Sequence, residues 1–444
     1  MSALTQLARV SHLSRRRQRL RQAARAARAQ RDRLIVSSRR VPVPAALRRR
    51  MTELVMWRPG PVVVPIDRLL LGEQNQVSAG EFARRSGDLL WPSTRVADGP
   101  HADLLRRAEA GPLTDDEILA TPYARMARAT IAVTGQYFAA SDEAGIVAVA
   151  RRFLEGGAGD GAGERAGEGR MPHQSREGDP VRVAPILHSD CFQLVDGHHR
   201  VAVLAVAGAE VMPVTVRRVA VTTPLQDLLE QMSWTGGERE LYQPVASPEL
   251  AAGWTQVRRC VDRLDAMRWH LSGLELPQGA SYLDVASCYG WFVDQFARLG
   301  FQAEGVERDP RAPAIGALAY GLDPARVTVS DAERFLAATG RTWDVVSCFS
   351  LLHHFALGRA SIGPEELLHL LDRVTGRVLY LDTGQAHEAW FRESLPEWDT
   401  EYVRAYLSRH TTFDEVVDLG PDCDDVPPYQ DNYRRHLFAA VRTS

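Results

Sequence analysis

The chain has 444 residues, 45% of them hydrophobic and 25% charged, which is ordinary globular composition with room for two or three domains. Net charge is only −3, and the five cysteines (Cys191, Cys260, Cys288, Cys348 and Cys423) are scattered with no C-x-x-C pair. A disulfide framework and a zinc site are therefore not expected. The longest apolar candidate, Val201 to Val216, is too short to cross a bilayer and contains Glu210. No apolar stretch follows the N-terminal arginines as in a secretory leader, so the expected compartment is the cytoplasm.

Charge is uneven along the chain. Residues 1–50 hold fifteen arginines against one acid, Asp32. Residues 1–55 are expected to form a basic helical arm, either solvated or in contact with an anionic partner. No aromatic residues interleave the arginines, so a base-stacking platform is not indicated and nucleic acid is not the favoured partner. A folded unit is expected over 56–222. It opens with the strand of "PVVVPIDRLLLG" and continues with helical patterns at Asp115–Leu119 and Ser141–Leu154. The glycine-rich, charged stretch 156–180 lacks the apolar surface to order itself and is expected to be a flexible insertion. Beyond it come a strand at Phe192–Val195, a helix at His199–Ala207 and a strand at Met212–Val219. A helical lead-in is expected over 223–274.

From Ser281 strands and helices alternate, which predicts a doubly wound parallel sheet over 275–444. "SYLDV" leads into "ASCYGWFVDQFARLG", where Asp284 closes the strand and Ala286, Cys288 and Gly290 fill a tight turn before a helix. Small residues let a ligand approach the backbone there, and the helix N-terminus supplies amide donors. Glu307 ends "QAEGVERD", where an acid can accept hydrogen bonds from two ribose hydroxyls. Asp331 and Ala332, in "RVTVSDAERFL", can meet an adenine amine and ring. "TWDVVSCFSLLHHF" places Phe349 beside the same cleft and His353 and His354 in the following loop. "GRVLYLDTGQ" is the fifth strand, and "FDEVVDLG" with "RRHLFAAVRTS" would add the last antiparallel strands.

These four segments, in this order, resemble the class I methyltransferases that use S-adenosylmethionine (SAM). The resemblance implies a Rossmann-like doubly wound parallel sheet with a terminal antiparallel strand. It also implies a SAM site built from Asp284, Ala286, Cys288, Gly290, Glu307, Asp331, Ala332 and Phe349, with His353 or His354 as candidate base. Ala286 and Cys288 stand where that family has glycines. The rival nicotinamide-dinucleotide fingerprint requires a glycine where Trp291 stands. No metal site is expected, and "DCDD" at 422–425 reads as a solvated loop.

"FQLVDGHHRVAVLAVAGAEVMPVTV" resembles the α+β ParB/sulfiredoxin-like fold. That likeness implies a phosphate-binding turn at Gly197, His198, His199 and Arg200, and a nucleotide as a second ligand. The combined expectation is a SAM-dependent methyltransferase acting on a small molecule or glycan precursor, with an upstream phosphate-reading module. The alternatives are a DNA- or nucleotide-binding regulator whose downstream half only senses SAM, and an upstream kinase or phosphatase that feeds the transfer.

Overall fold

The computed structural model describes residues 56–157, 180–232 and 239–443. The arginine arm and nearly all of the glycine-rich segment lie outside the described residues, as do the expectations placed on them.

Upstream, five strands form a mixed sheet in the order β1-β5-β3-β4-β2. They are β1 (Val62–Pro65), β2 (Leu69–Leu70), β3 (Val181–Pro185), β4 (Phe192–Asp196) and β5 (Val211–Val216). Between β2 and β3 run helices α1 (Ala79–Ser86), α2 (Pro100–Glu109), α3 (Asp115–Leu119), α4 (Pro122–Thr134) and α5 (Glu143–Gly157), and α6 (His198–Val206) follows β4. Local chemistry sets their starts. Thr114 and Glu117 close a capping box on α3, and Thr121 caps α4 ahead of Pro122. Val183, Leu194 and Val214 pack one sheet face onto Phe82, Leu104 and Tyr123 of the helices. The α+β character is as expected.

Among the described residues of the lead-in expected to be helical over 223–274, α-helix is confined to α7 (Pro224–Met232) and α8 (Val261–Leu271). Between them a strap carries two short parallel strands, β6 (Glu240–Leu241) and β7 (Thr255–Gln256). Pro244 and Pro248 lack amide donors. Gly253, at φ 79°, lies so close to the His188 carbonyl that a Cβ would sit 2.7 Å away. A continuous helix accommodates neither feature.

The downstream sheet has seven strands: β8 (Ser281–Val285), β9 (Gln302–Glu307), β10 (Val327–Val329), β11 (Trp343–Cys348), β12 (Thr375–Leu381), β13 (Glu415–Pro421) and β14 (His436–Val441). Their order is β10-β9-β8-β11-β12-β14-β13. β8 to β12 are parallel, and β14 is antiparallel to both its neighbours. The edge strand β13 therefore runs with the parallel set, and only β14 opposes it. Composition explains the placement: Leu437 to Val441 are all buried, whereas β13 alternates through half-buried and exposed positions. The connecting helices are α9 (Trp291–Arg298), α10 (Ala312–Tyr320), α11 (Ala332–Ala338), α12 (Leu352–Ala356), α13 (Pro364–Val374) and α14 (Thr400–His410). Leu283, Val346 and Leu379 face one core, and Tyr282, Val345 and Val378 the other, so both faces are covered. Chain order reverses between β8 and β11, which opens a crevice at their carboxyl ends.

Candidate functional site

The turn after β8 is held by three alternate residues in the left-handed region: Ala286 at φ 62°, Cys288 at 52° and Gly290 at 83°. Alanine and cysteine thus adopt the backbone that the resembled family assigns to glycine, at a cost of about 1 kcal/mol each. Gly305 on β9 seats the turn, because a Cβ there would lie 2.7 Å from Ser287 Oγ. Cys288→Gly and Ala286→Gly are each expected to raise stability, by up to about 1 kcal/mol in denaturant titration. A loss of stability would speak against strain at this turn.

Asp284 is buried at the end of β8. Ser347 Oγ donates to its Oδ1 at 2.6 Å and is itself 2.6 Å from the Tyr282 hydroxyl. Oδ2 has no partner, and the residue lines a cleft open to solvent at the carboxyl ends of β8 and β11. Burial pushes the Asp284 carboxyl up to about 7, against the Ser347 hydrogen bond and aided by the charge of Glu307. Glu307, at the end of β9, accepts the Cys288 and Asp309 amides, each at 3.0 Å, and burial raises its pKa as well. Asp331 follows β10 at the exposed N-cap of α11, with Ala332 opening the helix. The preceding Ser330 amide donates to the Glu307 carbonyl at 3.0 Å. The three acids therefore follow adjacent strands along one sheet edge. Asp284, Ala286, Cys288 and Phe349 line the cleft itself, and Glu307 reaches it through the Cys288 amide. Gly290, Asp331 and Ala332 are not among the lining residues.

His353 is buried against Phe391, and its Nδ1 accepts the Gly384 amide at 3.0 Å. That bond leaves its proton on Nε2 and ties the loop after β11 to the segment after β12. Burial holds its pKa well below the usual histidine range. His354 packs on it with ring centroids 4.2 Å apart. Its Nδ1 lies 3.4 Å from an Arg359 guanidinium nitrogen, and burial, helped by Arg359, lowers its pKa to about 4. Neither lines the cleft, and Nδ1 of each faces an N–H donor. The expectation that one of them acts as base finds no free ring nitrogen at the cleft.

The expected solvated loop at 422–425 is corrected by burial. Asp424 is fully buried and Asp422 nearly so. Arg258 Nε donates to Asp424 at 2.7 Å, and its other nitrogens reach Asp382 (3.0 Å) and Ser350 Oγ (2.9 Å). Arg263 Nε donates to Asp382 at 2.6 Å, and its remaining nitrogens reach Asp424 (3.2 Å) and Asp422. Arg435 forms a two-point pair with Glu388, 2.8 Å at each contact, and also donates to Ser350 Oγ at 2.9 Å. Arg258, Arg263 and Ser350 line the cleft, so this lattice forms one wall. The acids that look solvated in sequence are paired with arginines about 160 residues upstream, which no local pattern reveals.

In the upstream unit Gly197, at φ 102°, starts α6 as expected. The Nε2 atoms of the histidines beside it face neighbours within the fold. His198 is buried and its Nε2 accepts the Gly72 amide at 3.3 Å, while His199 Nε2 lies 2.9 Å from the Tyr123 hydroxyl. His101 stacks on His198 with centroids 5.6 Å apart, and Arg200 lies 3.8 Å from Asp196. Burial lowers His198 to about 4 and His199 to about 3, so both are neutral at pH 7. Because the unfolded chain binds these protons near pH 6.5 and the folded chain does not, stability is intact above pH 6.5 and lost as pH falls. The expected loss is roughly 3 kcal/mol per histidine by pH 4. Acid titration followed by circular dichroism should show this slope, and His198→Gln should reduce it. An unchanged slope would contradict burial of the neutral ring.

No protein-family model matches the chain, and no curated protein matches it in sequence. Among solved structures it is similar to the bifunctional kinase-methyltransferase WbdD, at 19% identity over 49% of this chain and 46% of that one, with TM-score 0.38. The magnesium protoporphyrin IX methyltransferase ChlM from Synechocystis PCC 6803, with bound SAM, gives 17% identity over 41% and 78%, with TM-score 0.30. The CurJ carbon methyltransferase gives 14% identity over 41% and 54%, with TM-score 0.32. The chain spans less than half the length of the WbdD chains it matches first.

Proposed function

We propose that the chain is a SAM-dependent methyltransferase acting on a small molecule or glycan precursor. The observation that carries this reading is the partnerless Oδ2 of Asp284. It is a buried acceptor beside a left-handed turn, in a cleft at the point where strand order reverses. Such an atom fits a ligand bearing a cationic donor group. Glu307 fits a ribose, Asp331 and Ala332 fit an adenine, and Phe349 with the 286–290 turn completes the cradle.

When bound, SAM supplies a methyl group already activated on a sulfonium. The chain's own contribution is then alignment and exclusion of water. Asp284 fixes one end of the cradle and Glu307 braces the turn through the Cys288 amide. The Arg258–Arg263 lattice makes one wall rigid, and His353 ties the β11 loop to the segment after β12. The acceptor is held by positioning.

Incubation of the purified chain with methyl-labelled SAM and a nucleotide-sugar extract tests this. Label should pass to an acceptor with the native chain and not with Asp284→Asn. SAM binding without transfer to any acceptor would remove the enzymatic half of the reading. A phosphate- or nucleotide-binding role for the Gly197–Arg200 turn is part of the same proposal. Calorimetric titration of ATP and CTP into the chain and into Arg200→Ala checks it.

A further inference from the structure

The strap between α7 and α8 delivers one side chain into the heart of the turn after β8. Gln243 is buried and lines the cleft. Its Oε1 accepts two amides, Tyr289 at 3.0 Å and Trp291 at 3.1 Å, and its Nε2 donates to the Ser287 carbonyl at 3.1 Å. One carboxamide therefore satisfies three backbone groups of a turn in which Ala286 and Cys288 both hold unfavourable φ. It also takes the amide of Trp291, the first residue of α9, whose N-cap Gly290 has no side chain to do so. The strap is fixed on both sides. Tyr320 donates to the Pro244 carbonyl at 2.8 Å. Buried Glu249 accepts the hydroxyls of Ser93, Thr223 (3.1 Å) and Ser247 (2.5 Å), which ties the strap to the upstream unit.

We propose that Gln243 is a positioning residue for the cofactor site, holding the 286–291 backbone in its ligand-accepting shape. This rests on the cofactor reading given above. A turn strained at two positions relaxes toward ordinary φ unless other contacts over-determine it, and the Gln243 carboxamide is the contact that touches it at three points. Its effect is on cofactor affinity and not on the acceptor.

Gln243→Met keeps the length and removes all three hydrogen bonds. Gln243→Glu keeps the acceptor for Tyr289 and Trp291 and loses the donor to Ser287. In the ligand-free chain, amide exchange over residues 286–292 should quicken about tenfold or more in Gln243→Met and by less in Gln243→Glu, with β14 unchanged. In calorimetric titration below the melting range, Gln243→Met should weaken SAM and S-adenosylhomocysteine by one common factor of about 30, and Gln243→Glu by less than tenfold. The acceptor KM at saturating SAM should not move. Unchanged exchange at the turn, or native affinity in Gln243→Met, overturns the assignment. If the methionine variant fails to fold, the glutamate variant carries the same two readouts. A native chain that takes up no SAM defeats the cofactor reading instead, and the exchange comparison still decides on Gln243.

Discussion

Asp284→Asn is expected to abolish pH-dependent SAM binding, with affinity at pH 8 down by about a hundredfold, while the fold survives. The carboxyl titrates at about 7 because burial outweighs the single hydrogen bond from Ser347. A cationic ligand selects the ionised form, so native affinity should rise with pH. It should be about tenfold weaker at pH 6 than at pH 8, and about a hundredfold weaker at pH 5. The asparagine variant should show no such slope. The sign for stability is opposite. A folded-state pKa above the unfolded value means that the folded chain holds its proton longer, so the empty protein loses stability as pH rises from about 4 to 7. Removing the charge should therefore raise the melting temperature of the ligand-free protein at pH 8, the reverse of what loss of an ordinary core contact does. A variant that loses binding and melts earlier would show that Asp284 is a structural ion.

Arg263→Met is expected to destabilise the downstream unit by about 3–5 kcal/mol, the range for leaving a buried charge without its partner. Arg263 is almost wholly buried and meets three buried carboxylates, Asp382, Asp422 and Asp424. Removing it leaves Arg258 as their one remaining guanidinium among these contacts. Arg298→Met is the control. Its ion pair with Asp294 is 2.8 Å long, but the arginine is 64% exposed, and solvent screening should hold the effect well below that of Arg263→Met. Urea unfolding of both variants, read from the downstream unit, separates the two cases. Equal midpoints would mean that the lattice contributes nothing beyond surface pairing. Arg263→Met combined with Asp422→Asn should recover part of the loss, because one of the stranded charges is gone.

The parallel sheet was legible because each of its strands is a short apolar run ending in an acid or a turn, as in "SYLDV", "GVERD" and "TWDVVSC". The places of Asp284, Ala286 and Cys288 at the cleft were legible for the same reason: a strand end and the turn after it are local in sequence. Three features were not. The strap over 239–258 has no period, and Gln243 acts through a fold-back onto a turn 44 to 48 residues away. The acids at 422–425 look solvated until Arg258 and Arg263 are set beside them, a pairing across about 160 residues. His353 and His198 each accept a backbone amide from a distant segment, Gly384 and Gly72, which no local pattern shows. A histidine's role depends on what faces its ring nitrogens, and that is a tertiary property.

The cleft at the carboxyl ends of β8 and β11 is the proposed SAM site. Calorimetric titration of SAM into the intact chain at pH 8 tests it most directly. One ligand per chain is predicted, with affinity lost in Asp284→Asn and weakened in Glu307→Ala. No heat and no thermal stabilisation at millimolar SAM, or native binding in Asp284→Asn, would contradict it.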